Sequence, residues 1–225
     1  MRFLLILFAT ISLLFGATKE QVDKYFLISN SAQDIADIEN SLQKLQDYTN
    51  PNNLYDTALV EIKFKERLQQ ILSESEMDEV IKNYDNLLYA RVIRELNNNV
   101  PYEEIFNFKQ ENPYDEKRLE YIKEIVDNIY KKEFLLTLFD NTQAPIYKKY
   151  YGKKSFNLSK EKSDFVKMVY TNAIDTLYYN LQDLTMQDLE SIANFTKRSS
   201  VYLEQKATLQ AYIYATKELF KRVAK

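Results

Sequence analysis

Histidine, cysteine and tryptophan are absent from this 225-residue sequence, and glycine occurs only twice. Without cysteine there is no disulfide, thiolate nucleophile, iron–sulfur cluster or lipid-modified N-terminal cysteine, and without histidine there is no imidazole base or ordinary zinc site. Phosphate-cradling loops need several neighbouring glycines, whereas Gly16 and Gly152 are solitary. We therefore predict no catalytic residue of these types, no cofactor and no metal site.

A strong charge of one sign is also lacking, since 30 basic residues stand against 33 acidic ones. The net charge of −3 and a pI near 5.3 argue against a protein that holds a polyanion, so nucleic acid is not an expected partner. What is present is a globular composition, with 45% hydrophobic and 28% charged residues. We expect the chain to fold.

Residues 1–17 resemble a secretory signal peptide. A basic start, Met1-Arg2, precedes an uncharged apolar run from Phe3 to Phe15, and the small residues Gly16-Ala17 stand just before a polar stretch. The apolar run is shorter than the roughly 20 residues of a membrane-spanning helix. We expect the mature chain to start near Thr18 and to lie in the periplasm of a double-membrane bacterium. The alternative is an inner-membrane anchor formed by an uncleaved N-terminus.

Strand signals are nearly missing, whereas helical periodicity recurs along the chain. Apolar residues follow three- and four-residue spacing in four stripes, and this spacing places each set on one face of a helix. The stripes are Ile35, Ile38, Leu42 and Leu45; Leu119, Ile122, Val126 and Ile129; Val166, Tyr170, Ala173, Leu177 and Leu181; and Leu209, Ile213 and Phe220. The sequence predicts an all-α fold, a multi-helix bundle without a β-sheet.

Two helix starts follow the same capping pattern. Ser73 is followed three positions later by Glu76, and Thr185 by Asp188, each with flanking apolar residues. A third start is expected at Ser159. The similarity of the first two leaves open that the chain consists of two related helical halves.

Breaks are predicted where asparagine and proline accumulate. The Ser73 helix is expected to end at Asn97, and the longest irregular stretch is expected from Asn141 to Leu158. The mature chain then divides into an N-terminal helical half, 18–140, a connector, 141–158, and a C-terminal helical half, 159–225. We expect the two halves to share one globular unit.

The mature chain opens on Thr18-Lys19-Glu20-Gln21-Val22 and later contains Leu184-Thr185-Met186-Gln187-Asp188-Leu189-Glu190-Ser191-Ile192-Ala193-Asn194-Phe195. Together with the N-terminal segment, these stretches resemble the proteobacterial family called domain of unknown function 2059. The resemblance implies a small exported all-helical protein. It brings no catalytic residues with it.

Carboxylates are the remaining candidates for catalysis. Glu74-Ser75 invites comparison with the catalytic Glu-Ser of lytic transglycosylases, in which burial raises the pKa of the glutamate. Glu74 lies in the first turn of a predicted helix, however, where an acidic residue favours the helix dipole and stays solvated. A glycoside hydrolase uses a pair of carboxylates, but the other candidates for such a pair are expected on solvent-exposed helix faces. They are Asp34, Asp37, Asp115, Glu116 and Glu120.

The connector holds a basic and aromatic segment without any acidic residue. Tyrosine offers contact area at low entropic cost, and lysine attracts anionic lipid heads or acidic protein surfaces. The candidate interaction surface consists of Tyr147, Lys148, Lys149, Tyr150, Tyr151, Lys153 and Lys154. The alternative is a solvated loop whose aromatic rings lie on the core.

The 18 tyrosines and 13 phenylalanines also allow an aromatic groove for a peptide or hydrophobic ligand. Its candidate residues are Tyr170, Tyr178, Tyr179, Tyr212 and Tyr214. The competing interpretation is core packing with the hydroxyl groups reaching the rim.

These observations favour an exported helical protein that acts by protein–protein interaction, as a structural or assembly-helper component of a cell-envelope complex. The expected partner is another envelope protein or a second copy, with an anionic membrane surface as a further option. Two alternatives remain open, a carboxylate-dependent enzyme acting on peptidoglycan and a carrier for a hydrophobic ligand.

Overall fold

The computed structural model describes residues 16–33, 35, 36, 57–98, 100–112, 115–145, 148 and 157–223. These residues form helices and no β-sheet, which confirms the predicted all-α multi-helix bundle. No helix in the described ranges is both long enough and apolar enough to cross a membrane. The helices are α1 (Lys19–Ile28), α2 (Thr57–Ile71), α3 (Glu74–Asn83), α4 (Leu87–Leu96), α5 (Tyr102–Glu111), α6 (Glu116–Ile129), α7 (Lys132–Leu138), a π-helix (Phe139–Gln143), α8 (Leu158–Asn180), α9 (Met186–Thr196) and α10 (Ser199–Val223).

At several helix starts, nearby side chains satisfy the free backbone N–H groups. Reciprocal capping boxes at Ser73 and Thr185 confirm the two predicted starts of α3 and α9, and Thr18 forms a third before α1. The predicted cap at Ser159 is wrong. Asn157 caps α8 instead, because its side chain accepts a hydrogen bond from the backbone N–H of Lys160 at 3.1 Å.

The single helix predicted from Ser73 to Asn97 is in fact two helices. Tyr84 ends α3, and the Asn86 side chain caps α4 by accepting from the backbone N–H groups of Leu88 and Tyr89, each at 3.1 Å. No proline or glycine marks this break. The turn redirects the chain so that α3 and α4 can contribute to different parts of the core.

The stretch predicted to be irregular from Asn141 is helical at its start. Residues 139–143 form a π-helix and residues 144 and 145 continue as helix. The Thr142 hydroxyl donates to the Leu138 carbonyl at 2.7 Å, a side-chain bond that competes with regular backbone pairing in a widened turn. The start of the predicted connector is therefore helical.

Buried apolar side chains form two clusters. The first joins α1, α2, α3 and the C-terminal part of α10, and the second joins α4, α6, α8, α9 and the start of α10. Tyr84 packs against both clusters. Each cluster combines helices from both sides of residue 141.

The predicted stripes on α6 and α8 face the core, whereas the stripe predicted on α10 is wrong. Leu209, Ile213 and Phe220 are only partly buried, and the buried face carries Ala207, Ala211, Ala215 and Leu219. Small side chains on this face let α10 approach α2, its most extensive packing partner, closely. In the first stripe Ile35 is buried, and the other three members lie outside the described residues.

Candidate functional site

A buried carboxylate, Glu204 on α10, lies where the two apolar clusters meet. Only 2% of its surface is exposed. Its neighbours on the same helix face are Val201 and Ala207, so the glutamate occupies a position that the helical period assigns to the core. A charged group at such a position must be compensated by its neighbours.

Four side chains donate hydrogen bonds to the Glu204 carboxylate. Tyr84 and Tyr25 donate to Oε1 at 2.5 and 3.3 Å, and Tyr89 and Asn83 donate to Oε2 at 3.0 and 2.9 Å. We call these five residues the Glu204 cluster. It joins α1, the end of α3, α4 and α10 through one carboxylate.

Further hydrogen bonds hold these donors in place. The Ser200 hydroxyl donates to the Asn83 carbonyl oxygen at 2.7 Å, which fixes the amide so that its NH2 group faces the carboxylate. The Tyr25 hydroxyl lies 3.2 Å from that of Thr208, which itself donates to the Glu204 backbone carbonyl at 2.7 Å. The cluster is therefore a connected polar network inside the core.

Burial raises the pKa of Glu204, and the hydrogen bonds from Tyr84, Asn83, Tyr89 and Tyr25 oppose that rise without cancelling it. Burial also raises the pKa values of Tyr84 and Tyr89 well above the usual phenol range, and the nearby Glu204 carboxylate adds to the effect. These two phenols therefore keep their protons and remain donors. Among the described residues no lysine or arginine forms an ion pair with Glu204.

A small cavity of about 70 Å³ borders the Glu204 cluster. Its polar walls include the side chains of Ser29 and Ser31, whose hydroxyl oxygens lie 2.6 Å apart, and of Asn97. We call it the polar cavity. This volume is far below that of an ordinary ligand pocket, and it is too small for a sugar ring.

A larger groove of about 600 Å³ runs between α5 and α8. Lys109 on α5 and Asp175 on α8 form an ion pair in it, with the ammonium nitrogen 3.0 Å from both carboxylate oxygens. Buried Ile105 fixes α5 from the inside. Leu96 and Tyr130 line both this α5–α8 groove and the polar cavity.

Two aromatic side chains stand exposed on the wall of this groove. Tyr102 is 78% exposed and Phe106, one helical turn later, is 47% exposed. Their rings stack with centroids 6.2 Å apart and an interplanar angle of 29°. Exposed aromatic residues that stack at a groove offer a large apolar contact surface to a partner.

The carboxylates proposed from the sequence have capping or surface roles. Glu74 is exposed in the first turn of α3, where the capping box of Ser73 with Glu76 begins the helix, so its capping interpretation is supported. Asp115 caps α6 by accepting from the Arg118 backbone N–H at 2.8 Å, and Glu116 and Glu120 are exposed. Asp34 and Asp37 lie outside the described residues.

The candidate interaction surface of the connector falls almost entirely outside the described residues. Lys148 is described, and it is helical and exposed. Nothing in the structure bears on the other six members, which are Tyr147, Lys149, Tyr150, Tyr151, Lys153 and Lys154.

The five tyrosines considered for an aromatic groove do not line one together. Tyr178 and Tyr212 are buried in different clusters. The Tyr170 hydroxyl donates to the Tyr130 carbonyl at 2.5 Å, and the Tyr179 hydroxyl donates to Glu104 at 3.3 Å. Tyr170 and Tyr178 follow the alternative of core packing, because their rings pack in the second cluster and their hydroxyl groups bond to backbone atoms of Tyr130 and Asp115.

Sequence reasoning missed Glu204. The signal that could have found it is its register on α10, because residues 201, 204, 207, 211 and 215 share one helix face, and all are buried. A single charged residue in a stripe that is otherwise apolar and small marks a buried polar site. The large apolar residues of α10 lie on the neighbouring face, and their spacing places the predicted stripe there.

Comparisons with known proteins give no relative for this chain: no family model, no curated protein and no solved structure matches it.

Proposed function

We propose that this chain is an exported helical protein that acts by binding another cell-envelope protein, as a structural or assembly-helper component. In this proposal the α5–α8 groove receives an apolar segment of the partner. The observation that carries the proposal is the exposed, stacked pair Tyr102 and Phe106 on the wall of a groove of about 600 Å³. Export and the envelope location rest on the N-terminal segment of the sequence.

The groove is suited to binding because its walls are held in place. The Lys109–Asp175 ion pair joins α5 to α8, and neither side chain is freely exposed, with exposed fractions of 35% and 17%. Phe108 packs edge-on against Tyr179 of α8 with ring centroids 5.2 Å apart. A wall fixed in this way loses little conformational entropy when a partner binds, so more of the contact energy remains as affinity.

The charge beside the aromatic pair indicates the chemistry of the partner. Glu103 and Glu104 follow Tyr102 directly and are both exposed. Acidic residues at the rim of an apolar contact steer and orient partners of opposite charge. We therefore expect the bound segment to carry apolar side chains flanked by lysine or arginine.

The surroundings of Glu74 and Glu204 favour a binding function over catalysis by a carboxylate. Glu74 is solvated at a helix start, and Glu204 faces a cavity of about 70 Å³ that does not admit a glycan strand. The peptidoglycan alternative predicts release of fragments from purified sacculi, lost in Glu74→Gln or Glu204→Gln. The carrier alternative predicts a hydrophobic molecule in mass spectra of the purified protein.

A capture experiment tests the proposal. The tagged full-length protein is compared with Tyr102→Ser/Phe106→Ser and with the control Ile62→Ser/Leu87→Ser. The control removes two apolar side chains that are 50% and 81% exposed on other helices. We expect the groove variant to fold normally and to lose an envelope protein that the wild type and the control both retain.

Equal capture by all three proteins would overturn the groove as the binding site. Retention of the partner by the groove variant together with its loss in the control would move the site to α2 or α4. If the captured protein is a second copy of this chain, the proposal holds with self-association as the function of the groove.

A further inference from the structure

The oxygen-rich polar cavity beside Glu204 is a second candidate site, independent of the α5–α8 groove function. Six of its lining residues carry a hydroxyl or carboxylate group, namely Tyr25, Ser29, Ser31, Tyr84, Glu204 and Thr208, and Asn97 and Gln205 add amide groups. No histidine, cysteine or cluster of several carboxylates is present in the described part of the chain that could bind a transition metal. Oxygen ligands of this kind suit hard cations.

The charge of the cavity is unbalanced. Glu204 is 2% exposed, and its hydrogen-bond partners are three phenols and one amide, all neutral. A buried carboxylate without a cationic partner is costly, and the cost is removed by a proton or by a bound cation. The four donors on the two carboxylate oxygens stabilise the ionised form against the effect of burial, because the acid would need one of them to accept instead.

The geometry of the phenols provides further cation ligands. Tyr84 directs its proton to Glu204, so the lone pairs of its oxygen face away from the carboxylate, whereas the Tyr25 hydroxyl also contacts that of Thr208. A phenol that donates to an anion becomes a better acceptor itself, because hydrogen bonds in a chain polarise one another. Both tyrosines line the cavity.

The cavity lies beside a second pocket. Asn97 lines it and also lines a shallower surface pocket formed with Asn30, Gln33, Arg94 and Glu95. The polar cavity is itself open to solvent, not enclosed. The volume of about 70 Å³ favours an ion without bulky substituents.

From these observations we propose that the polar cavity binds one compact monovalent cation, either an alkali ion or ammonium, with the Glu204 carboxylate and the surrounding hydroxyl oxygens as ligands. One positive charge balances the one negative charge of the site. The bound ion joins α1, α4 and α10 and stabilises the contact between the two apolar clusters.

The test measures the melting temperature at constant ionic strength while sodium, potassium or ammonium chloride replaces tetraethylammonium chloride. A ligand that binds only the folded state raises the melting temperature with its concentration. We expect at least one of the three ions to produce this rise in the wild type and in the exposed control Glu190→Gln, and not in Glu204→Gln. The ion with the largest rise identifies the ligand.

Equal responses of the wild type and Glu204→Gln, or no rise with any of the three ions, would overturn the proposal. If Glu204→Gln does not fold, competition with protons in the wild type decides instead. The cation-induced rise must shrink as the pH falls and the carboxyl takes up a proton, and a rise that does not depend on pH would refute binding at Glu204.

Discussion

The Tyr84 hydroxyl donates a hydrogen bond to Oε1 of Glu204 across a distance of 2.5 Å, at the point where the two apolar clusters of the bundle meet. The two residues are 120 positions apart in the sequence. Their contact links the end of α3 to α10, and the same carboxylate binds groups from α1 and α4. The stability of the bundle is therefore tied to the state of one buried acid.

The first prediction concerns the pH dependence of unfolding. Burial raises the pKa of Glu204 above its value in the unfolded chain, about 4.3 for an ordinary glutamate. Between these two pKa values the folded protein binds more protons than the unfolded chain, so the contribution of Glu204 to stability is present at low pH and is lost as the pH rises. We therefore expect the free energy of unfolding, measured with urea in tetraethylammonium chloride, to fall less for Glu204→Gln than for the wild type as the pH rises through this range.

The control for this measurement is Glu190→Gln, which removes an exposed carboxyl on α9. The pH dependence of its free energy of unfolding should follow that of the wild type.

Asp183 and Asp188 act in the opposite direction, because hydrogen bonds from Arg91 and Thr185 respectively hold their pKa values below the usual range. Their contribution is present above the unfolded pKa and lost in acid in all three proteins. Parallel profiles of wild type and Glu204→Gln would contradict the account of the buried acid.

The second prediction concerns a single donor to the carboxylate. Tyr89→Phe removes the hydroxyl that donates to Glu204 Oε2 and leaves the buried ring in place. Loss of one hydrogen bond to a buried charged group should lower the free energy of unfolding at neutral pH by about 1–3 kcal/mol. The loss should diminish in acid, where the carboxyl is protonated.

The matched control is Tyr202→Phe, because Tyr202 is 43% exposed. Its free energy of unfolding should stay near that of the wild type. An equal loss for Tyr89→Phe at acid and neutral pH would show that the hydroxyl does not act through the charge on Glu204.

The third prediction concerns the residues just before α1. The Ala17 N–H donates to the Leu72 carbonyl at 2.7 Å, the Ala17 side chain is buried, and Gly16 pairs with Ser73 in an isolated β-bridge. A recombinant chain that begins at Gly16 should therefore be more stable than one that begins at Thr18, by about 1 kcal/mol for the hydrogen bond. Chemical denaturation of the two chains checks this.

A substitution at Gly16 provides the control. A Cβ atom at this position would lie 1.8 Å from the Gln69 carbonyl oxygen, so Gly16→Ala should remove most of the advantage of the longer chain. Equal stability of the two wild-type chains would contradict the contact.

The fourth prediction tests whether the basic and aromatic segment of the connector is an interaction surface. Changing Lys148, Lys149, Lys153 and Lys154 together to glutamate reverses the charge of a segment that has no acidic residue between positions 145 and 156. Capture of an acidic partner or of anionic vesicles should then be lost, because the attraction becomes repulsion. The control reverses Lys117, Lys123, Lys167 and Lys206, which are exposed on helices. Equal capture by both variants would exclude the connector as an interaction surface.

Features of the fold that depend on neighbouring residues could be predicted from the sequence. The caps at Ser73 and Thr185 were predicted correctly because each box involves residues three positions apart. The break at Asn86 is not predicted from the sequence, because Asp85-Asn86 is a weak signal where proline and glycine are lacking. The face of α10 was misjudged because alanine contributes little to hydropathy and yet allows close helix packing.

The Glu204 cluster could not be assembled from the sequence for a different reason. Its four donors lie between 115 and 179 positions from the glutamate, and only the packing of α1, α3 and α4 against α10 brings them together. The α5–α8 groove likewise depends on the Lys109–Asp175 pair, whose members are 66 positions apart. Register on a helix can indicate a buried charge, but it does not identify the partners.

The most direct test of the proposed binding function is photo-crosslinking in living cells from a benzoyl-phenylalanine placed at position 102 or, as a control, at position 87. Both native residues are strongly exposed, Tyr102 at 78% and Leu87 at 81%, so both probes have equal access to solvent. The account predicts a discrete crosslinked envelope protein from position 102 that is absent from position 87 and is lost on Phe106→Ser. Identical crosslinks from both positions, or none from position 102, would contradict it.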